Sequence, residues 1–343
     1  MDLFLSAEES ESFLNEELQR AVPGTAPVVM ADGLLGVEFA RAEHGNLLLA
    51  FARQCLPDAI ALKAPSISAW AGLLFDAIVT RVPEQSPWHL HIDAYYGAGD
   101  AGQNRCELIR ERLIENLQKK RRHLLRALVK TPQPFAPPHS LVQLLLTGPE
   151  EGFLSIALSP QPYAGRAVLS PFPKGAVPIA DDKAAPSRAF TKLVEAELRM
   201  GRRISAGESC VDLGASPGSW SYVALQRTAQ VTAVDRSPLR EDLMRNPRLT
   251  FEQGDAFKFH PAALVDWLLC DVIAAPQRSI DLVLEWVRER RARQFVVTIK
   301  FKGREEYSVL DTLKKELPPL CTDVYLSRLC ANKNEACVFG EVK

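Results

Sequence analysis

The sequence predicts an α/β fold in which a doubly wound, mostly parallel sheet follows two small α+β units. Three observations favour this fold: strands and helices alternate after residue 187, a small-residue turn follows the first of those strands, and a proline-rich stretch precedes them. The chain has 343 residues, which is too long for one compact core, so we expect several domains.

Residues 1–64 predict a ferredoxin-like α+β unit with the element order βαββαβ. The Asp32-Gly33 dipeptide lies between alternating apolar residues, which is a strong signal for a hairpin between the two middle strands. The predicted elements are a strand at 3–5, a helix at 8–21, the hairpin, a second helix at 44–55 and a strand at 59–62.

Residues 65–158 predict a second α+β unit. Its elements are a helix near 66–82, a strand at 88–94, a long basic helix, and strands at 141–146 and 153–158. His89, His91 and Asp93 share one face of the strand at 88–94, which is a weak indication of metal binding. No fourth ligand is evident, so we predict no metal site.

The basic helix lies within residues 105–130, where nine Lys or Arg stand against three Glu. This local excess of six positive charges exists although the net charge of the chain is −1. Two interpretations stay open. The charges form an ordinary solvated helix face, or they form a phosphate-binding surface whose affinity for RNA depends strongly on salt.

Residues 159–186 predict an extended connector, because six prolines in this stretch exclude a regular helix. Residues 187–343 then form the doubly wound domain. Helical patterns separate most of its strands, which implies helices on both faces of the sheet. The predicted strands lie near 209–213, 230–235, 249–253, 265–271, 294–300, 321–327 and 336–342.

Composition indicates a cytoplasmic globular protein. No apolar run approaches the roughly 20 residues that span a bilayer, and the acidic N-terminus lacks the basic region of a signal peptide. The seven cysteines are scattered without a C-x-x-C pair, so we expect reduced thiols. We therefore expect no membrane association.

The glycine turn at 211–221, Val-Asp-Leu-Gly-Ala-Ser-Pro-Gly-Ser-Trp-Ser, follows an apolar strand and opens a helix. Gly214 and Gly218 lack a Cβ, so the backbone can approach a ligand closely, and Pro217 presets the turn. Such a turn is typical of sheets that hold a nucleotide-like cofactor, although glycine turns also occur for packing reasons.

Three aspartates follow successive strands: Asp235, Asp255 and Asp271. Because ligands bind beyond the carboxyl ends of parallel strands, we expect these carboxylates to converge on one crevice. Asp235 has the position from which a carboxylate accepts hydrogen bonds from both ribose hydroxyls of an adenosine. Any single one of them is equally well explained as a turn or helix cap.

Residues 187–343 resemble the FtsJ-like ribose 2′-O-methyltransferases, which use S-adenosylmethionine and a Lys-Asp-Lys-Glu tetrad. The matching stretches are Ser-Arg-Ala-Phe-Thr-Lys, Cys-Asp-Val-Ile-Ala-Ala-Pro, Val-Val-Thr-Ile-Lys-Phe and Asn-Lys-Asn-Glu-Ala. The resemblance implies the catalytic residues Lys192, Asp271, Lys300 and Glu335. It also implies the cofactor-binding residues Ser187, Gly214, Ser216, Pro217, Gly218, Ser219, Trp220, Asp235, Asp255 and Asp271.

Within this family the chain is most similar to bacterial large-subunit rRNA methyltransferases that carry a ferredoxin-like unit and a THUMP RNA-binding domain before the catalytic domain. This similarity implies that 65–158 is a THUMP-like domain, that the N-terminal half and the basic helix bind rRNA, and that a cytidine of 23S rRNA is modified by a monomer. One position departs from the family pattern: Ser219 stands where the family has glycine. If Ser219 is helical, its side chain fits at little cost.

A tetrad of this kind suits methylation of a ribose 2′-hydroxyl, which is a poor nucleophile until its proton is removed. We expect Lys300 to orient the hydroxyl and to accept its proton, while the other three residues hold and tune Lys300. A solvated salt-bridge face is the ordinary alternative for the lysines. Two other functions stay open: a non-catalytic RNA-binding protein that retains the fold, and a methyltransferase for small molecules.

Overall fold

A computed structural model describes residues 1–38, 47–97, 100–133, 135, 139–158, 167–302, 307–329, 331 and 334–343. The chain divides into two compact units. Unit 1 comprises Met1–Leu47 and Ala52–Ala176, and unit 2 comprises Leu48–Phe51 and Val177–Lys343. Within the described residues, none of the helices combines the length and the apolar character that crossing a membrane requires.

Unit 1 begins with an antiparallel sheet in the order β2-β3-β1-β4. The hairpin predicted at Asp32-Gly33 joins β2 and β3, which pair antiparallel. The elements are β1 (Asp2–Ser6), α1 (Glu11–Ala21), β2 (Val28–Ala31), β3 (Leu34–Val37) and β4 (Ala52–Leu56).

The prediction of a second helix at 44–55 is wrong for its C-terminal part, which the structure describes and which is not helical. Residues 44–46 lie outside the described part of the chain, but Ala52–Leu56 is a strand whose Cys55 pairs with Phe4 of β1. The error has a physical reason, since a short apolar run that becomes fully buried does not distinguish helix from strand by its periodicity.

A second sheet in unit 1 has the order β5-β8-β7-β6. Strand β5 hydrogen-bonds to β8, so Ile60–Lys63 belongs to this sheet, although the sequence predicts it as the last strand of the first unit. Helices α2 and α3 pack on each other and bury one face each. The elements are β5 (Ile60–Lys63), α2 (Ile67–Arg81), β6 (Trp88–Ala94), α3 (Gln103–Lys120), α4 (Arg122–Ala127), β7 (Ser140–Leu146) and β8 (Glu151–Leu158).

The predicted connector at 159–186 is described only from residue 167 onward, and its first part lies outside the described residues. The described part is irregular except for a single 3₁₀ turn at Pro173–Gly175, in agreement with its proline content. Val168, Leu169 and Phe172 are buried, so this stretch packs as well as connects.

Unit 2 contains a seven-stranded sheet in the order β11-β10-β9-β12-β13-β15-β14. The first five strands of that order are parallel, and β15 and β14 are antiparallel to their neighbours, which confirms the doubly wound α/β fold. The strands are β9 (Ser209–Leu213), β10 (Gln230–Asp235), β11 (Leu249–Gln253), β12 (Val265–Cys270), β13 (Ala292–Lys300), β14 (Cys321–Ser327) and β15 (Glu335–Val342).

Helices of unit 2 pack on the sheet through buried apolar residues. Pro276 occupies the first turn of α8, where its missing N–H has no helical partner to lose. Gly201 ends α5 in the left-handed conformation with φ of +69°. The helices are α5 (Phe190–Met200), α6 (Ser219–Gln226), α7 (Glu241–Met244), α8 (Pro276–Arg288) and α9 (Asp311–Glu316).

Candidate active site

The four tetrad residues meet at the carboxyl edge of the parallel strands. Asp271 directly follows β12, and Lys300 is the last residue of β13. Glu335 is the first residue of β15, and because that strand is antiparallel, its start pairs with Lys300 at the same edge. Lys192 reaches them from the first turn of α5. Four positions separated by up to 143 residues thus form one charged cluster.

Lys192 lies at the centre of this cluster. Its Nζ is 2.7 Å from Asp271 Oδ1 and 3.1 Å from Glu335 Oε1, and only 6% of its side chain is exposed. Burial by itself would lower the pKa of Lys192, but the two carboxylates outweigh that effect and raise its pKa above the ordinary value. Lys192 is therefore a charged ammonium that bridges two acids, and the solvated-face alternative does not apply to it.

Lys300 has a different environment. Its Nζ donates to the backbone oxygen of Asp271 at 2.6 Å and lies 3.0 Å from Asp271 Oδ1. Its side chain is 22% exposed, the most of the four, against 10% for Glu335. Asp271 and Lys300 are the two tetrad residues that line the neighbouring cavity. The Lys300 amine thus faces the space that a ligand would enter.

The cavity beside the cluster has a volume of about 380 Å³, which falls within the range of small-molecule sites. The glycine turn after β9 and the loop after β12 both contribute to its lining. The lining residues are Ser187, Ala189, Asp212, Gly214, Ala215, Ser216, Pro217, Ser219, Trp220, Asp235, Asp271, Val272, Ile273 and Lys300.

Asp235 also lines this cavity. One carboxylate oxygen accepts from Ser216 N–H at 3.0 Å and the other from Ser237 N–H at 2.9 Å. These two backbone donors hold the carboxylate at the end of β10, while each oxygen keeps a lone pair for a further donor.

Two of the residues predicted to bind a cofactor lie outside the lining of the cavity. Asp255 accepts from Phe257 N–H at 3.1 Å and pairs with Arg236, so it caps the 3₁₀ turn at Ala256–Lys258. Gly218 has φ of +109°, and a Cβ at its position would overlap Leu243. The structure gives both residues local packing or capping contacts.

Ser219 is the first residue of α6 and has helical geometry, which is the condition under which a serine side chain fits at this position. Its hydroxyl lies 2.7 Å from the hydroxyl of Ser187. The next residue, Trp220, donates from Nε1 to Ala189 O at 2.8 Å. Both bonds join the glycine turn to the segment that leads into α5, so Ser219 connects the cavity wall to the helix that carries Lys192.

Sequence reasoning missed Asp212 as a cavity residue. This aspartate is fully buried in β9, and its carboxylate accepts from the N–H and the hydroxyl of Ser221. Burial raises its pKa to about 7 in spite of these hydrogen bonds. The signal was present in the sequence, because an acid inside an apolar strand just before a glycine turn needs a reason to be there.

Replacing Gly214 by alanine should destabilise unit 2. Gly214 has φ of +73°, and an added Cβ would lie 2.9 Å from Cβ and 3.0 Å from Cα of Val272. We expect Gly214→Ala to cost about 3 kcal/mol of unfolding free energy, the sum of left-handed strain and steric overlap. Urea unfolding measures this cost. Gly207→Ala is the matched control, since Gly207 has φ of +80° with no atom within 4 Å of the added Cβ, and equal costs would contradict the overlap.

The histidines of β6 make contacts other than metal ligation. His89 Nε2 lies 3.1 Å from His139 Nδ1, and His91 Nε2 lies 3.0 Å from Pro171 O. Among the described residues no group of three or more His, Cys, Asp or Glu is arranged to hold a metal ion. Burial is the main cause that lowers the pKa of His89 and of His91 to about 4.

Unit 1 should lose stability as the pH falls from 6.5 toward 4. In this window the unfolded chain takes up protons on His89 and His91 that the folded state does not bind. Asp93 acts in the opposite direction, because burial raises its pKa to about 6. Two groups outweigh one, so we expect urea unfolding to show a loss of about 2 kcal/mol between pH 7 and pH 5. His91→Gln should reduce this loss, whereas the exposed His123→Gln should not; equal losses would contradict the assignment.

Comparison with known proteins shows what the C-terminal half of the chain is similar to. Residues 185–316 match the family model described as FtsJ-like methyltransferase. This part of the chain is therefore similar to FtsJ-like methyltransferases, and the resemblance predicted from the tetrad motifs is confirmed.

Two relatives that match this chain in sequence have the same name. Proteins named Ribosomal RNA large subunit methyltransferase M are 34% identical over 184 residues in Halorhodospira halophila and 36% identical over 154 residues in Idiomarina loihiensis. The matches cover 52% of this chain and 53% of the relative in the first case, and 42% of each in the second. The chain thus spans about half the length of the relatives it matches, and the predicted similarity to this type is confirmed.

Proposed function

We propose that this protein is an S-adenosylmethionine-dependent methyltransferase that methylates a ribose 2′-hydroxyl of large-subunit rRNA. The observation that carries the proposal is the convergence of Lys192, Asp271, Lys300 and Glu335 within hydrogen-bonding distance beside a cavity built from a glycine turn. The named activity of the relatives supports the substrate class.

The cavity suits S-adenosylmethionine in its residues and their chemistry. Gly214 keeps the turn free of a Cβ, and Asp235 offers carboxylate lone pairs of the kind that ribose hydroxyls bind. When bound, this cofactor supplies a methyl group on a positively charged sulfur. Asp271 and Lys300 are the tetrad residues that line this cavity, so they are the two that would contact a bound cofactor.

The contacts of the two tetrad lysines differ, and we assign each lysine a different role. Lys192 stays charged and compensates both carboxylates, so Asp271 and Glu335 are held in place without leaving an unpaired buried charge. Lys300 Nζ lies 3.0 Å from one carboxylate oxygen of Asp271, and Lys300 lines the cavity. In our proposal Lys300 Nζ would orient the 2′-hydroxyl and, in its neutral form, accept the hydroxyl proton. A bound cofactor would supply the methyl group and would be released as the neutral thioether once its carbon–sulfur bond is broken. Positioning of the two reactants supplies most of the acceleration.

The basic segment of unit 1 is the proposed RNA contact. Lys119, Lys120, Arg121, Arg122, Arg126 and Lys130 are all exposed. Arg122, Arg126 and Lys130 line a groove together with the apolar Leu125 and Leu128. Cations beside apolar side chains suit phosphates and unstacked bases, which favours the phosphate-binding interpretation over an ordinary solvated face. Unit 1 thus supplies recognition in a THUMP-like role, and the cytidine target stays part of the proposal.

Replacing Asp235 should weaken cofactor binding far more than replacing Asp255. Asp235 lines the cavity, whereas Asp255 caps a turn outside it. We expect Asp235→Ala to raise the Kd for S-adenosylmethionine about 30-fold, because charge-assisted hydrogen bonds to a ligand are lost. Isothermal titration calorimetry measures both variants. An equal loss in Asp255→Ala would contradict the placement of the ribose at Asp235.

The deciding experiment maps ribose methylation in rRNA from cells with and without this protein. Loss of one 2′-O-methyl group, restored by the wild-type chain and not by Lys300→Ala, is the expected result. Unchanged rRNA together with binding of S-adenosylmethionine and methylation of free nucleosides would favour a small-molecule methyltransferase. RNA binding without methyl transfer by purified protein would favour the non-catalytic alternative.

A further inference from the structure

A segment from the N-terminal half of the chain belongs to unit 2. Residues Leu48–Phe51 are assigned to unit 2, while their chain neighbours Leu47 and Ala52 belong to unit 1. Ala50 is fully buried, and its carbonyl oxygen accepts from Arg328 N–H at 2.6 Å, directly after β14. Phe51 is also buried. Part of the packing in the unit that carries the tetrad therefore comes from residues of the N-terminal half of the chain.

Phe51 contacts an aromatic pair beside the tetrad. Its ring lies 4.8 Å from that of Tyr307 in an edge-to-face arrangement. The ring of Tyr307 lies in turn 4.6 Å from that of Phe301, the residue after Lys300. Three rings thus form a row that begins in the N-terminal segment and ends next to the proposed proton acceptor.

The row is tied to Glu335 as well. The Tyr307 hydroxyl donates to Asn334 Oδ1, and Asn334 precedes Glu335. Asn334 Nδ2 donates to Phe301 O at 3.2 Å, and Phe301 N–H donates to Asn334 O at 2.9 Å. These bonds extend the ladder between β13 and β15 one step beyond the Lys300–Glu335 pair. The backbones of Lys300 and Glu335 are thereby held on their outer side by Asn334 and Phe301.

We propose that Phe51 and Tyr307 are positioning residues that set the placement of Lys300 relative to Glu335 through Asn334 and Phe301. The proposal rests on the proposed function of the tetrad. It adds that four residues from the N-terminal half complete the catalytic end of the sheet. Because small displacements of a catalytic group reduce rates strongly, loosening this row lowers turnover. Phe51, Phe301, Tyr307 and Asn334 are not among the residues that line the cofactor cavity, so the cavity keeps its contacts.

The test uses the full chain with Phe51→Leu and Tyr307→Phe. Tyr307→Phe keeps the ring and removes only the hydroxyl that bonds Asn334, so it spares folding should Phe51→Leu disturb it. Tyr222→Phe is the matched control, since its hydroxyl donates to Asp182 at 2.9 Å and touches neither Lys300 nor Glu335. We expect kcat on rRNA to fall about 10-fold in both test variants, with KM for RNA and cofactor Kd close to wild type. The melting temperature should stay close to wild type in Tyr307→Phe and fall by a few degrees in Phe51→Leu, because Phe51 is buried.

A second measurement is independent of activity. In ¹³C-lysine-labelled protein the Lys300 side-chain resonance, identified by its loss in Lys300→Arg, should shift in Phe51→Leu and Tyr307→Phe and stay in place in Tyr222→Phe. An unchanged resonance in both test variants overturns the positioning role, as does a fall in melting temperature with kcat intact. Wild-type protein that transfers no methyl group to RNA would refute the proposed function, and the resonance would then decide the positioning role alone.

Discussion

Replacing Lys300 by alanine should reduce methyl transfer to rRNA by about 10³-fold, since a positioned proton acceptor typically contributes 10²–10⁴. Lys300 is the tetrad lysine that lines the cavity. We expect this loss to appear in kcat. The affinity for S-adenosylmethionine should stay near wild type, because Asp235 and the glycine turn are untouched. Single-turnover methylation and calorimetry measure the two quantities.

The pH dependence of kcat should change as well, because a general base shapes the pH–rate profile of the step that it serves. Lys343→Ala is the control for removal of a lysine, since Lys343 is exposed and its Nζ donates to Pro319 O at 2.7 Å outside the cavity. Retention of the wild-type pH–rate profile in Lys300→Ala would refute its role as proton acceptor.

Replacing Lys192 by methionine should destabilise unit 2 by about 3 kcal/mol, because removal of one member of a buried ionic cluster leaves uncompensated charge. Lys192 compensates two carboxylates at once, at 2.7 and 3.1 Å, and its own side chain is 6% exposed. Methionine keeps a similar length and an apolar stem, so the change isolates the charge. Urea unfolding measures the loss, and methyl transfer should fall with it.

The double variant Lys192→Met with Glu335→Gln tests the cause of this loss. It removes one of the two acids that Lys192 compensates, so part of the lost stability should return. A double variant that is less stable by the sum of the two single losses would show that packing, and not charge, accounts for the effect.

Much of unit 2 was predictable because its local signals agree with one another. Strand β9 has the predicted bounds, as does β10, and the helix after the glycine turn begins at Ser219. In a parallel sheet buried on both faces, apolar strands and amphipathic helices alternate clearly. The stretch Leu47–Phe51 lacked such a pattern. Its apolar residues predicted a helix continuing to Cys55, yet residues 48–51 pack in unit 2 and 52–56 form a strand.

The sequence by itself determined the residue types, their order along the chain and the strand ends at which Asp235, Asp271 and Lys300 stand. Only the tertiary structure decided that Asp255 caps a turn, that Asp212 lines the cavity, and that Phe51 packs beside the tetrad. The reason is physical: strand and turn formation depend on neighbours in the chain, whereas the direction of a side chain and its partners depend on how distant elements pack.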